Sequence, residues 1–281
     1  MCYESIIECM IRIKKTMNTN DPMTVKVETG TIKSFGVSDR GKKRPANEDA
    51  IHIDAEGKFM LLADGMGGHE RGAEASSFAI QVIRDGLDPG IISNELEEVT
   101  ERENIPSEIL CYSSLLHKAI SKANTIMFER NQKLKLQKDM GTTIVGIILI
   151  EKSNQVVWFH IGDSRLYRFR NSMLQCLTEY HSAYMEWLKN GKEGPRPGRN
   201  IITRAIGPFD PVKLDIKWAT LNQNDTYILC SDGLTNMLND DQIESLLNKD
   251  INIEIKVQHL VEAANKAGGK DNISVVGIEF G

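Results

Sequence analysis

Closely spaced apolar runs with short polar turns between them constrain the fold of this chain more than any other feature. Ten such runs are rich in β-branched and aromatic residues and are predicted strands. They span residues 32–37, 50–53, 58–63, 142–150, 155–161, 164–169, 173–177, 213–218, 226–230 and 273–280. The linkers 151–154 and 170–172 are too short for the crossover that parallel strands need, so the sequence predicts antiparallel sheets.

Four longer segments carry apolar residues at spacings of three and four, which is typical of amphipathic helices. The predicted helices span residues 70–87, 107–132, 240–247 and 253–267. Because the strands and the helices fall in separate blocks, the predicted fold class is α+β, with helices covering antiparallel sheets.

Most of the 281 residues are predicted to form one domain, 31–281. Residues 1–30 are largely polar and lose their periodicity after Ile13, so we interpret them as a loosely ordered N-terminal extension or an extra edge element. Residues 179–200 are rich in glycine, proline and charge. A mobile surface flap is predicted there, inside the main domain.

An aspartate beside glycine or asparagine stands next to four of the apolar runs: Asp64, Asp163, Asp232 and Asp271. A single pair of this kind is most often only a turn. Strand ends gather at the edge of a sheet, however, and four carboxylates there would repel each other unless a cation lay between them. Oxygen ligands without a Cys or His cluster favour Mg²⁺ or Mn²⁺ over zinc.

Charge and cysteine usage exclude several other classes of protein. A net charge of −5 disfavours a nucleic-acid binder, and with it a metal-dependent nuclease. The five scattered cysteines favour a reducing compartment over a disulfide framework. No apolar run approaches the roughly 18 residues of a membrane span, and the N-terminus does not resemble a signal peptide. We therefore expect a cytoplasmic, monomeric protein without membrane or nucleic-acid partners.

Other hydrolytic motifs are absent from the sequence. There is no P-loop, no nucleophile elbow, no cysteine followed six positions later by arginine, and no Asp-x-Asp. Because no covalent nucleophile stands out, the acidic pattern favours metal-activated hydrolysis.

Six short motifs then give a specific resemblance, which covers about residues 32–280. They are Arg44-Pro-Ala-Asn47-Glu48-Asp49, Ala63-Asp64-Gly65-Met66-Gly67-Gly68-His69, Gly141-Thr142-Thr143, Gly162-Asp163-Ser164-Arg165, Ser231-Asp232-Gly233-Leu234 and Gly269-Lys-Asp271-Asn272. In this order they resemble the metal-dependent Ser/Thr phosphatases of the protein phosphatase 2C type (PPM). The Asp64-Gly65-Met66-Gly67-Gly68-His69 motif resembles the bacterial branch of that family.

The resemblance implies a four-layer α-β-β-α sandwich with two Mn²⁺ or Mg²⁺ ions at one end. Asp64 is expected to bridge both ions and the Gly65 carbonyl to help hold one. The other expected metal ligands are Glu48 for the second ion, Asp232 and Asp271 for the first, and Asp163 for a weaker third ion.

The resemblance also implies direct attack on phosphorus by a hydroxide that bridges the two metals. Arg44 is expected to hold the phosphate through its planar guanidinium. Asp49 matches a family acid near the cluster and is assigned to the catalytic group with Arg44. The expected substrates are proteins that a Ser/Thr kinase has phosphorylated on serine or threonine, with phosphotyrosine as a further candidate.

Two departures and one alternative accompany this expectation. Met66 stands where some relatives carry a histidine that protonates the leaving alcohol, so that role is unassigned; His69 is interpreted as structural. Tyr180 replaces the usual acidic residue before His181. The alternative is a catalytically silent PPM-fold module that binds a phosphoprotein, although none of the matched acids is missing.

Overall fold

The computed structural model describes residues 22–68, 70–99, 105–135, 138–198 and 201–281. Across these residues the chain forms twelve strands. They are β1 (Met23–Thr29), β2 (Ile32–Asp39), β3 (Asp49–Ile53), β4 (Phe59–Met66), β5 (Gly141–Thr142), β6 (Ile144–Ile150), β7 (Gln155–Ile161), β8 (Arg165–Arg170), β9 (Met173–Cys176), β10 (Asp215–Thr220), β11 (Thr226–Cys230) and β12 (Ile273–Phe280).

Seven α-helices occur in the same described residues. They are α1 (Glu70–Gly86), α2 (Pro89–Glu98), α3 (Ser107–Leu134), α4 (Ala183–Lys189), α5 (Asp232–Thr235), α6 (Asp240–Leu247) and α7 (Ile253–Lys266). Among these helices, none is both long and apolar enough to cross a membrane.

The strands pair into two sheets, and every pair is antiparallel. The first sheet has the order β1-β2-β12-β11-β8-β9. The second has the order β10-β7-β6-β4-β3, with the two-residue β5 beside β4. The antiparallel pairing is as predicted from the short linkers.

An apolar core fills the space between the two sheets. Leu62 and Val145 of the second sheet belong to one buried cluster with Tyr227 and Val276 of the first. This cluster is the central layer of packing, and it forms because alternate side chains of each strand point to the same face.

Helices cover the outer face of each sheet. Phe78 of α1 and Leu116 of α3 pack in one buried cluster with residues of the second sheet. Leu260 of α7 packs in another buried cluster with Phe35 and Ile228 of the first sheet. The result is the predicted four-layer α-β-β-α sandwich, so the expected fold class is confirmed.

One predicted strand, 142–150, is interrupted in the structure. β5 ends at Thr142 and β6 begins at Ile144, so Thr143 lies between them. The Thr143 N–H donates to the Asp64 carbonyl (2.9 Å), and its hydroxyl accepts from the Asp64 N–H (3.1 Å). The break therefore ties this loop to the backbone of a predicted metal ligand.

Three helices, α2, α4 and the four-residue α5, were not predicted from the sequence. α2 begins after Asp88, whose side chain accepts from the Gly90 N–H. None of its residues is buried, so the helix lacks the apolar face by which an amphipathic helix is recognised in a sequence. α4 lies inside the predicted flap, where the Trp187 indole N–H donates to the Gly194 carbonyl (3.2 Å). The flap thus contains local structure, and its mobility stays a prediction.

The N-terminal part of the chain contributes an edge strand. β1 pairs with β2 along its whole length at the border of the first sheet. Residues 1–21 of the predicted extension lie outside the described residues. The division of the chain at residues 30 and 31 stays a prediction.

Gly233 gives a direct test of how tightly the fold packs near the strand ends. A Cβ at Gly233 would collide with the backbone carbonyl of Asn272, which cannot move aside easily. We expect Gly233→Ala to lower the free energy of unfolding by about 1–3 kcal/mol, measured by urea denaturation.

Gly90→Ala in α2 is the matched control. A Cβ at Gly90 would meet only the flexible Asp88 carboxylate, at 3.2 Å. Alanine in a helix is usually more stable than glycine by about 0.5–1 kcal/mol, so this variant should be as stable as the wild type or more so. A Gly233→Ala variant of wild-type stability would contradict the packing described above.

Candidate metal centre

Five of the aspartates identified in the sequence lie at strand ends. Asp49 begins β3 and is directly opposite Asp64 of β4 in the antiparallel register. Asp163 follows β7 by two residues, Asp232 follows β11 by two residues, and Asp271 precedes β12 by two residues. Because β11 and β12 are antiparallel neighbours, Asp232 and Asp271 share one edge of the first sheet.

The electrostatics of these groups show that their carboxylates face one another. Burial raises the pKa of Asp64 well above its usual range, and the charges of Asp49, Asp232, Asp163 and Asp271 raise it further. Burial, followed by the charges of Asp163, Asp271 and Asp49, raises the pKa of Asp232 to about 7. The structure thus brings the five aspartates into one cluster.

Two members of the cluster have buried oxygen atoms without hydrogen-bond partners. These atoms are both carboxylate oxygens of Asp49 and the Oδ1 of Asp163. Burial raises the pKa of both side chains, that of Asp49 to about 6, and the charge of Asp271 raises the pKa of Asp49 further. A buried carboxylate without a hydrogen-bond partner destabilises the folded protein unless a cation binds it.

Glu48 and Gly65 reach the cluster through a compact set of backbone contacts. The Gly65 N–H donates to the Glu48 carbonyl (3.2 Å), and the Ser76 hydroxyl donates to the same oxygen (2.7 Å). The Glu48 carboxylate lies against Gly72 of α1, where a Cβ would approach its Oε2 to 2.6 Å. Any larger residue at position 72 would therefore displace the Glu48 side chain.

Asn272 joins the two halves of the cluster. The Glu48 N–H donates to its Oδ1 (2.9 Å), and its Nδ2 donates to the carbonyls of Arg40 and Ala46 (both 2.9 Å). One asparagine side chain thus holds the loop before β3 against the turn that carries Asp271. In the sequence, only its place beside Asp271 points to this role.

Arg44 lies at the open side of the cluster. Its Nη2 donates to the Asp271 Oδ2 at 2.6 Å, and its side chain is 48% exposed. This hydrogen bond, together with the charges of Asp271, Glu48 and Asp64, raises the pKa of Arg44 despite its partial burial. The predicted phosphate-binding residue therefore neighbours the predicted metal ligands.

The donor set fits divalent metal ions of the hard type. It consists of carboxylate and carbonyl oxygens, two of its side chains have buried atoms without partners, and the pKa values of four aspartates are raised. Mn²⁺ and Mg²⁺ prefer such oxygen ligands. The residues present are therefore suited to the ions that the sequence resemblance implies.

A second cluster of metal-ligating types lies at the base of the flap. One atom each of His160, His181 and Asp215 lies within 4.8 Å of the others. However, the Arg204 Nη1 lies 3.1 Å from Asp215 Oδ1 and 3.2 Å from His181 Nε2, so a cation is already present there. This cluster is a hydrogen-bond network rather than a second metal centre.

The residues that depart from the family pattern are also placed. Met66 ends β4 opposite Gly141 and has no ionisable group. His69 lies outside the described residues. Tyr180 contacts Arg165, whose guanidinium carbon lies 4.3 Å from the ring centroid. A cation–π contact therefore stands where the usual carboxylate is missing.

Known proteins are similar to this chain over most of its length. The sequence profile of the protein phosphatase 2C family matches residues 36–266. The chain is 32% identical over 250 residues to the serine/threonine phosphatase stp of Listeria monocytogenes, covering 86% of this chain and 93% of the relative. It is 34% identical over 250 residues to the protein phosphatase PhpP of Streptococcus pneumoniae, covering 85% and 94%.

One similar solved structure contains metal ions. The catalytic domain of the serine/threonine protein phosphatase PstP, in complex with two manganese ions, superposes on this fold with a TM-score of 0.67. The match has 27% sequence identity and covers 88% of this chain and 97% of that domain.

The raised pKa values predict how the metal-free protein responds to pH. The folded-state pKa values of Asp232 (about 7) and Asp49 (about 6) exceed that of an unfolded aspartate, about 3.9. The folded protein therefore holds protons that the unfolded chain has released. Its free energy of unfolding in EDTA should rise as the pH falls from about 8 to about 6.5, measured by urea denaturation.

Three histidines oppose this gain, because burial lowers the pKa values of His52, His160 and His181, that of His181 to about 4. An unfolded histidine takes up a proton near pH 6.5, so their opposition grows as the pH approaches 6.5. Mn²⁺ binding near pH 6.5 should also release protons, on the order of one for each ion. Calorimetry in two buffers of different ionisation enthalpy measures this release. Falling stability between pH 8 and 6.5, with no proton release, would contradict the clustering.

Proposed function

Since the chain belongs to the protein phosphatase 2C family, we propose that it is a metal-dependent phosphoprotein phosphatase acting on phosphoserine and phosphothreonine. The observation that carries this proposal is the set of facing carboxylates, in which Asp49 and Asp163 have buried oxygens without partners. The phosphatase names of the relatives and the two manganese ions in a solved neighbour support it.

In this proposal the residues hold two ions, with a weaker third ion at Asp163. Asp64, Glu48 and the Gly65 carbonyl would serve one ion, and Asp64, Asp232 and Asp271 the other; Asp163 would serve a weaker third. When bound, the ions supply an acidified water as nucleophile and neutralise charge on the substrate phosphate.

The side chains of this chain contribute position and charge. Arg44 would hold non-bridging phosphate oxygens through its exposed guanidinium, which is always protonated and has a planar array of donors. Asp49 lies opposite Asp64 and completes the negative field that favours cations. The acid that protonates the leaving alcohol is not assigned, since Met66 has no proton to donate. Phosphotyrosine hydrolysis and a partner kinase stay predictions.

Metal dependence separates this function from that of a silent phosphoprotein-binding module. The protein should hydrolyse p-nitrophenyl phosphate and a phosphothreonine peptide with Mn²⁺ or Mg²⁺ and stop in EDTA. Asp64→Asn, Asp232→Asn and Asp271→Asn should each lower kcat by on the order of 100-fold or more, because each removes a charged ligand.

Asp250→Asn is the matched control, because Asp250 is exposed and lies outside the cluster. It should retain wild-type rates. Metal-independent turnover would contradict the metal assignment. Phosphopeptide binding by the wild type without any turnover would instead favour the silent module.

Arg44 allows the phosphate role to be separated from a structural role. Arg44→Ala should raise KM for the phosphopeptide by roughly tenfold or more, because a charge-assisted contact to phosphate is lost. Mn²⁺ affinity should stay the same or increase, since Arg44 otherwise competes for Asp271. Calorimetry measures the affinity. Weaker Mn²⁺ binding with an unchanged KM would make Arg44 a structural residue.

A further inference from the structure

His181, at the base of the flap, contacts the turn that carries Asp163. Its backbone N–H donates to the Gly162 carbonyl (3.1 Å), and the Gly162 N–H donates to its ring Nδ1 (3.1 Å). One residue therefore satisfies both backbone polar groups of Gly162, immediately before a proposed metal ligand.

The hydrogen bonds determine which ring nitrogen carries the proton. Because Nδ1 accepts from Gly162, a neutral His181 ring carries its proton on Nε2, which donates to Asp215 Oδ2 (3.2 Å). The ring is 5% exposed, and its burial lowers its pKa to about 4, so it is neutral at pH 7. Asp215 in turn accepts from the Arg204 Nη1 (3.1 Å), which lies 3.2 Å from the protonated Nε2 and does not donate to it.

The two ends of the flap meet at this residue. The Thr203 N–H donates to the His181 carbonyl (2.8 Å), and Ser182 pairs with Ile202 as an isolated bridge. The His160 ring stacks on the His181 ring with centroids 4.5 Å apart, and its Nε2 donates to the Glu179 carbonyl (2.8 Å). His181 is thus fixed by the flap, by β10 and by β7.

One other side-chain contact anchors the turn that carries Asp163: the Ser164 and Thr143 hydroxyls are hydrogen-bonded (2.8 Å). Gly162 has a φ of +108°, and a Cβ there would approach the Thr143 Cγ2 to 2.6 Å, so only glycine fits. Asp163 is 6% exposed, and its Oδ1 has no hydrogen-bond partner. The position of its carboxylate therefore depends on the backbone that His181 holds on one side and Ser164 on the other.

We propose that His181, oriented by Asp215, is a positioning residue that fixes the Gly162–Asp163 turn and thereby couples the base of the flap to metal binding at Asp163. The inference rests on the proposed function, because it requires Asp163 to be a metal ligand. Groups that orient metal ligands typically contribute 10–100-fold in affinity.

Two substitutions of His181 separate its two hydrogen bonds. His181→Asn places an amide oxygen near the position of Nδ1, so it can still accept from Gly162 but cannot reach Asp215. His181→Gln places its amide near the position of Nε2, so it can still donate to Asp215 but leaves the Gly162 N–H without an acceptor. If His181 only stabilised the fold, His181→Gln would not weaken Mn²⁺ binding more than His181→Asn does.

The measurements are calorimetric Mn²⁺ titration of the full chain and hydrogen exchange of the Gly162 amide. We expect His181→Gln to weaken the weakest Mn²⁺ step by roughly tenfold or more and to accelerate Gly162 exchange. His181→Asn should keep the Mn²⁺ affinity and the Gly162 exchange rate within a few-fold of wild type. His52→Gln, at a half-buried histidine of β3 that packs against Phe59, is the control and should bind Mn²⁺ like wild type.

Asp163→Asn distinguishes failure of this inference from failure of the proposed function. If Asp163→Asn loses the weak Mn²⁺ step while His181→Gln keeps it, the inference is overturned and the metal assignment stands. If the wild type binds no Mn²⁺, both are overturned. Should His181→Gln fail to fold, His181→Leu, which also lacks an acceptor for the Gly162 N–H, replaces it, and wild-type Mn²⁺ affinity and Gly162 exchange in that variant would overturn the inference.

Discussion

Repulsion between carboxylates clustered at one end of the sandwich is the constraint on which the rest of this structure depends. Asp64 faces four other aspartates, and Arg44 forms its ion pair with only one of them, Asp271. Burial raises the pKa values of Asp64 and Asp232 most, and the charges of the neighbouring aspartates raise them further. A fold that places these groups together is stabilised by whatever cation binds between them.

The surrounding backbone supplies the rigidity that such a site needs. Asn272 holds the loop before β3, while Gly233 and Gly72 allow close approaches that a side chain would prevent. Thr143 interrupts a strand in order to bond both backbone groups of Asp64. Packing of the two sheets thus offsets the repulsion between the clustered carboxylates. The same packed structure connects the base of the flap to Asp163 in the proposal above.

Much of this arrangement could be predicted from local patterns. Strand runs, short linkers and strand-end aspartates together indicated antiparallel sheets and a cluster of oxygen ligands, and the motif order identified the family. What escaped prediction depends on distant contacts. α2 has no fully buried face, Asp215 is adjacent to His181 only after the flap folds back, and nothing near His181 in the sequence points to the Gly162 N–H.

Anomalous diffraction at the manganese absorption edge, from crystals grown with Mn²⁺, tests the central claim most directly. The account predicts strong peaks at the edge of the sandwich within ligand distance of Asp64, one of them shared with Asp232 and Asp271 and another with Glu48. Peaks only at His160, His181 and Asp215, or none beside Asp64, would contradict it.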